Sequence, residues 1–214
     1  MLKNGNIDMH RPTAFQEDNI DKLVAFMQAH SFATLVSTVE GVPFASHIPL
    51  VVNESDGVVT LVGHLAKGNL HWQAFDIAES LAIFSGVHAY ISPTLYEKDE
   101  SVPTWNYIAV HAYGTPNIIT FKDAPELMDQ MIDEMVDTYE ASYKSQWHNL
   151  SEAFRTGMMK GIVGFEMVVT RLEGKYKLSQ NRSLIEQHNV SDALLQSSDP
   201  NAQAVGQEIQ QNLE

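Results

Sequence analysis

The sequence predicts a mainly β fold with peripheral helices, an antiparallel meander that closes into a barrel or a sandwich. Three observations carry this. Residues 32–38, 45–52 and 58–63 are short runs rich in Val, Ile, Leu and Thr that follow one another in series. The segments between them are turns: Glu40-Gly41 and, more strongly, Asp56-Gly57, residue types that accept the positive φ of a tight hairpin. Helical periodicity is confined to segments outside these runs. Strands joined in series by short turns pair antiparallel and must bury one face, which a barrel or sandwich achieves.

In chain order, residues 1–8 read as a loose start. Asp18 is the expected N-cap of a helix ending near His30, with Ile20, Leu23, Val24, Phe26 and Met27 at helical spacing. After the three-stranded meander, 69–75 is expected as a short helix, 80–85 as a strand apolar on both faces, and 88–92 as a further strand. A charged loop at 96–103 precedes one long strand at 105–120, bent around Gly114-Thr115-Pro116. Asp123-Ala124-Pro125 is a helix start, N-cap followed by Pro in the first turn. That helix carries Leu127, Met128, Met131, Met135 and Val136 on one face, a stripe that reads as core packing before it reads as a ligand box. Ser151 is expected to cap a helix to about Met159. Residues 162–171 are expected as the final strand, with Gly174 ending the barrel-like part. The main domain is set at 9–182. Beyond it, 183–214 carries five acids and no Lys or Arg, and Asp199-Pro200 starts a helix whose apolar face is only Ala204, Val205 and Ile209. Such a helix is not stable alone, so this acidic helical tail is expected to dock on its own domain or on a second subunit.

Composition narrows the function classes. Lys and Arg number 13 against 27 Asp and Glu, a formal net charge of −14. Non-specific contact with a phosphate backbone needs clustered basic residues, so direct DNA binding is disfavoured. There is no cysteine, hence no disulfide, thiolate metal site or cysteine nucleophile. None of the nine histidines stands two or four residues from another, so no metal site is expected, although one axial His would suffice for a haem. No apolar run opens the chain and no stretch approaches the roughly 18 residues of a membrane span, so a soluble cytoplasmic protein is expected. No nucleophile–base arrangement is recognisable, and the catalytic residues stay unassigned.

The chemistry-bearing residues concentrate between Gly63 and His111. A barrel core needs Val, Ile and Leu, whereas this stretch adds His, Lys, Asn, Trp and Tyr at strand ends, groups that are costly to bury without partners. Lys67-Gly68-Asn69, just before a short helix, offers a phosphate a cation, a close backbone approach and an amide. His64, Tyr90, Trp105 and Asn106 offer stacking or hydrogen bonds to a ring. Each of these has an ordinary structural reading too: a surface turn for the first, a satisfied histidine or a barrel-end plug for the others.

Four separate motifs in order make a resemblance specific: Gly63-His64-Leu65-Ala66-Lys67-Gly68-Asn69, His88-Ala89-Tyr90-Ile91-Ser92-Pro93, Val102-Pro103-Thr104-Trp105-Asn106-Tyr107 and Gly174-Lys175-Tyr176-Lys177-Leu178-Ser179-Gln180-Asn181-Arg182. On these, and on the opening 9–15 and 32–36, the chain resembles the PaiB family of FMN-binding negative transcriptional regulators over about 9–190. The family lies within the FMN-binding split-barrel superfamily. The resemblance implies a six-stranded antiparallel split barrel that forms a homodimer, with FMN in a cleft between the subunits. It implies Lys67 at the phosphate with Asn69 and Ser92 as donors. It puts His64 and the backbone of Gly63 and Leu65 at the flavin edge. Tyr90, Trp105 and Asn106 shape the ring pocket, and Lys177 reaches the ring or phosphate. A more distant likeness is to pyridoxamine-phosphate oxidases, in which an arginine meets the cofactor where His47 stands here. That difference, with Met167 in place of an aromatic residue, speaks against pyridoxamine-phosphate oxidation and leaves the fold untouched. Three functions remain open: an FMN-binding regulator whose flavin is sensor or structural ligand, acting indirectly on transcription; an FMN-dependent oxidoreductase on a small molecule; and a haem-binding split barrel.

Overall fold

The structure, a computed structural model, describes residues 8–213. The loose start expected at 1–8 thus lies outside the described residues, apart from Asp8.

The β part consists of six long runs. Three are continuous: β2 (Phe32–Val39), β5 (Val58–Ala66) and β6 (Ser80–Ile91). Three are each broken once, β3 (Val42–Pro49) and β4 (Val51–Ser55) at Leu50, β7 (Thr104–Gly114) and β8 (Pro116–Ile119) at Thr115, and β9 (Ile162–Val168) and β10 (Arg171–Lys177) at Val169-Thr170. At each break the chain leaves one sheet for the other. The sheets have the orders β1-β10-β7-β6-β2-β3, where β1 is the two-residue strand Gln16–Glu17, and β4-β5-β9-β8. Pro116 has no N–H to give to a ladder, and that is where the long strand changes sheet. The hairpins form as read: Glu40 and Gly41, and Asp56 and Gly57, all have positive φ.

Several expectations need correction. The strands expected at 80–85 and 88–92 are one, because Gly86 interrupts neither pairing nor direction. The strand at 162–171 is not the last, and Gly174 lies inside β10. Of its alternating charged residues Arg171, Glu173, Lys175 and Lys177, Glu173 and Lys175 are buried. Glu173 accepts from the Met9 N–H (3.0 Å), and Lys175 donates to the His10 carbonyl (2.7 Å). Helix α1 spans Ile20–Ala29, but Asp18 accepts from Arg11 (2.8 Å). Helix α2 spans Pro125–Glu140 with Ala124 at its N-cap, while the Asp123 carboxylate accepts from Thr120 Oγ1 (2.6 Å). A short helix α3 (Lys144–Asn149) was not expected. Ser151 does cap α4 (Glu152–Lys160), accepting from the Phe154 N–H.

The chain falls into two compact units. One comprises Ile20–Phe84 and Ala112–Leu172. Its core contains one cluster of Val51, Val62, Ile119, Met128, Met131, Met135 and Met159, so the methionine stripe of α2 is packing against the β4-β5-β9-β8 sheet. A Cβ added to Gly164 would stand 2.6 Å from Met131 Sδ, so glycine there lets α2 approach β9. On the other face, Gly63 lies against Leu50 and Phe165, and the rings of Phe75 and Phe165 pack at a tilt of 60° with centroids 4.9 Å apart. The other unit comprises residues 8–19, Ser85–His111 and 173–213. In it α5 (Leu184–Leu195) and α6 (Pro200–Gln211) pack as a pair. Val190, Leu194, Ala202, Val205 and Ile209 are buried, and the Ser191 hydroxyl donates to the Gly206 carbonyl (2.9 Å). The thin apolar face of the tail is thus covered inside its own unit.

Candidate functional site

The sequence-derived candidates fall into two groups, one in each unit. The first group is built on the end of β5. The Asn69 N–H closes a turn onto the Ala66 carbonyl (2.8 Å). Lys67 is held by both backbone groups: its N–H donates to the Gly161 carbonyl (2.9 Å), and its carbonyl accepts from Trp72 Nε1 (3.1 Å). Its side chain stays exposed. Asn69 starts the 3-10 turn Leu70–Ala74, its Oδ1 accepting from the His71 N–H (3.1 Å).

Below Asn69 runs a chain of buried polar groups. Asn69 Nδ2 is 2.9 Å from Ser46 Oγ, Ser46 Oγ is 2.9 Å from His71 Nδ1, His71 Nε2 is 2.9 Å from Ser37 Oγ, and Ser37 Oγ is 2.6 Å from Ser80 Oγ. Burial lowers the His71 pKa below its ordinary 6.5, so the ring is neutral near pH 7. A neutral ring fits one continuous direction of donation. Asn69 donates to Ser46, Ser46 to Nδ1, Nε2–H to Ser37, and Ser37 to Ser80. The loop that carries Lys67 is therefore anchored to three strands, β2, β3 and β6. His71 was passed over in the sequence as one more isolated histidine. Its partners are 25 and 34 residues away, and no local signal marks them.

His64 points to the other side. Its Nδ1 lies 3.3 Å from Met135 Sδ, and burial lowers its pKa. Leu65 and Gly63 are buried. His47 is exposed on β3 opposite Thr34, its ring 6.5 Å from that of Phe32. Beside Lys67 opens a cavity of about 760 Å³, lined by Lys67, Trp72, Phe121, Lys122, Lys160 and Ile162 among others. Apart from Lys67, the motifs singled out none of these residues. The lining comes from three separate segments, brought together by pairing within the β5-β9-β8 sheet.

The second group lies in the other unit. Tyr90 and Trp105 are both half-exposed, with ring centroids 6.2 Å apart, edge to face, and His88 lies 5.6 Å from Trp105. Lys177 Nζ donates to the Trp105 carbonyl (2.7 Å) and to Thr104 Oγ1. Burial, with Lys175 and Arg182 nearby, lowers its pKa. Asn106 is fully buried, and its Nδ2 donates to Ser179 Oγ (2.8 Å). Its Oδ1 has no hydrogen-bond partner among the described residues. Ser179 has φ of 67°, a strained position for a non-glycine residue, which this bond helps to hold. Ser92 caps the turn Pro93–Leu95 by accepting from the Thr94 N–H. Among the described residues no cluster could hold a metal ion, and no helix is long and apolar enough to cross a membrane.

Comparison with known proteins matches this fold. Residues 9–171 match the family model described as "Putative FMN-binding domain". The chain is 37% identical over 208 residues to the protease synthase and sporulation protein PAI 2 of Bacillus subtilis, covering 96% of this chain and 98% of that protein. Of solved structures, it resembles the flavocytochrome Anf3 of Azotobacter vinelandii with a TM-score of 0.58 at 13% identity, over 76% of this chain and 69% of that one. It also resembles an FAD and haem binding protein of Mycobacterium smegmatis with a TM-score of 0.53 at 14% identity, over 76% and 73%. At such identities the structural likeness speaks for the fold alone, whereas the family match and the near full-length relative speak for descent. The chain belongs to the PaiB family of FMN-binding domains, with the split-barrel fold of flavin-binding proteins.

Proposed function

We propose that this chain binds FMN, with the phosphate of the cofactor on the Lys67-Gly68-Asn69 loop, and that it serves as a PaiB-like regulator whose flavin is sensor or structural ligand. The observation that carries the reading is the Lys67 loop. Its backbone is fixed at both ends of Lys67 and braced through Asn69 by the His71 chain, while the ammonium group stays exposed beside a cavity of ligand size. A fixed backbone with a free cation suits an anion site, since the backbone has no ordering cost left to meet on binding. A Cβ built on Gly68 meets nothing within 4 Å, so the fold makes no demand for glycine there, whereas close approach of a phosphate would. When bound, the flavin supplies hydride and single-electron chemistry. The chain binds and orients it.

The reading includes a second copy of the chain. The outer face of β2, β3 and β6 carries Phe32, Thr34, Val36, Ala45, His47 and Ile83, with no Lys, Arg, Asp or Glu among them. Phe32 is 68% exposed. A sheet face of this composition is an association surface. Sedimentation should give twice the 23.9 kDa chain mass, and Val36→Asp should lower it to one chain. A wild-type mass of one chain would remove the dimer.

The test of the cofactor is a visible spectrum after mixing with FMN and desalting. Retained flavin bands support the reading, and a colourless protein contradicts it. Addition of NAD(P)H then separates the functions. A flavin that stays oxidised fits a regulator, and turnover of NAD(P)H makes the chain an oxidoreductase. With a net charge of −14, a regulator of this kind acts through a partner or a metabolite signal, and a competitor-resistant shift of DNA by the purified chain would overturn that.

A further inference from the structure

The basic side chains of this acidic protein are mostly committed. Arg11 pairs with Asp18, Lys144 with Asp137, Arg155 with Asp129, Arg171 with Glu79 and Arg182 with Glu186. Lys175 and Lys177 donate to backbone carbonyls. Lys67, Lys122 and Lys160 have no carboxylate or carbonyl partner for their ammonium groups among the described residues, and all three line the same cavity of about 760 Å³. Their grouping is a product of the fold. Lys67 follows β5, Lys160 ends α4, and the bond from the Lys67 N–H to the Gly161 carbonyl ties the two segments together. Lys122 follows β8, which pairs with β9 beside β5.

Three like charges around one concavity repel one another, and a chain with 27 acids has carboxylates to spare for pairing them. The acid on this wall, Asp123, accepts from Thr120 Oγ1 and forms no ion pair with the lysines among the described residues, so one carboxylate faces three ammonium groups and the wall stays net positive. The rest of the lining is aromatic or apolar: Trp72, Phe121, Pro125, Ile162 and Val163. Lys160 Nζ sits 5.6 Å from the Phe121 ring centre, which steadies it without neutralising it. Cations left unpaired next to flat apolar walls match an anion carrying a flat organic group. A phosphate monoester bears about −1.5 to −2 at neutral pH, more than one lysine offsets.

We propose that Lys122 and Lys160 act with Lys67 as one three-lysine site for a phosphate monoester, with the organic part lying toward Trp72 and Phe121. The proposal rests on the reading of Lys67 as the ligand of the flavin phosphate. It assigns the further charge of that site to residues 55 and 93 positions beyond it, outside every motif that marks the family.

The experiment measures FMN and riboflavin affinity by equilibrium dialysis for the wild-type chain, Lys122→Ala, Lys160→Ala, the double variant and Lys67→Ala. Riboflavin lacks only the phosphate. Each of the two single variants should bind FMN about tenfold more weakly and the double variant about a hundredfold, the weight of one charge-assisted contact each. Riboflavin affinity should stay within about twofold in both, as should the thermal midpoint, since neither lysine is buried. If Lys67→Ala alone loses FMN and the double variant binds as wild type, the inference is overturned and the Lys67 reading stands. If neither loses FMN, both are overturned. Equal loss of riboflavin and FMN in the double variant would also overturn the phosphate assignment.

Discussion

Replacing His71 with alanine should cost about 3 kcal/mol of stability. His71 is 2% exposed and links Ser46 to Ser37 in the middle of the polar chain. Its removal leaves a void and takes one hydrogen bond from each hydroxyl, which keep Asn69 and Ser80 as their remaining partners; the void and the two lost bonds together are of this size. Urea unfolding should show a lower midpoint with an unchanged slope. The same residue fixes a pH dependence. Its folded pKa lies below 6.5, so between the folded and unfolded values the unfolded state binds more protons. Stability is therefore fully present above about pH 6.5 and falls as pH drops below it. His64, lowered by burial in the same direction, adds to the effect. His71→Ala should flatten the acid limb in part, leaving the share of His64. An unchanged acid limb would mean that His71 is not the buried neutral ring described here.

The second large effect is on binding. Lys67→Glu should weaken FMN binding by about a hundredfold or more, because it removes a charge-assisted contact and sets a carboxylate against a phosphate. Riboflavin affinity should change little, and the loop should keep its conformation, since the bonds to Gly161 and Trp72 use only the backbone of Lys67. A variant that binds FMN as the wild type does would take Lys67 out of the site. His71→Ala should loosen the same loop through Asn69 and weaken FMN binding less than Lys67→Glu does.

The β architecture was legible because its signals are local. The turns at Glu40-Gly41 and Asp56-Gly57 form as residue type demands, and the runs between them alternate. The charged strand β10 was missed because Glu173 and Lys175 are buried in it beside Gly174 and Tyr176, and find partners in the chain start at Met9 and His10. Polarity predicts exposure only where no such partner exists. The turn at Lys67-Gly68-Asn69 before a short helix was readable from residue types, and its proposed phosphate role rests on them. The surroundings were not. His71, Ser46, Ser37 and Ser80 meet across three strands, and Lys122 and Lys160 reach the cavity through sheet pairing. Ser92, expected as a ligand group, caps a turn, and Asn106 donates to Ser179 while its Oδ1 has no partner among the described residues. Gly63, read as part of the flavin edge, is also required by packing against Leu50 and Phe165.

The most direct measurement is the pair of dissociation constants of the wild-type chain for FMN and for riboflavin at one ionic strength. A phosphate anchored on the Lys67 loop predicts one FMN per chain, bound at least about a hundredfold more tightly than riboflavin, with the gap narrowing as salt is raised. Equal affinities, or no binding of either, would contradict the account.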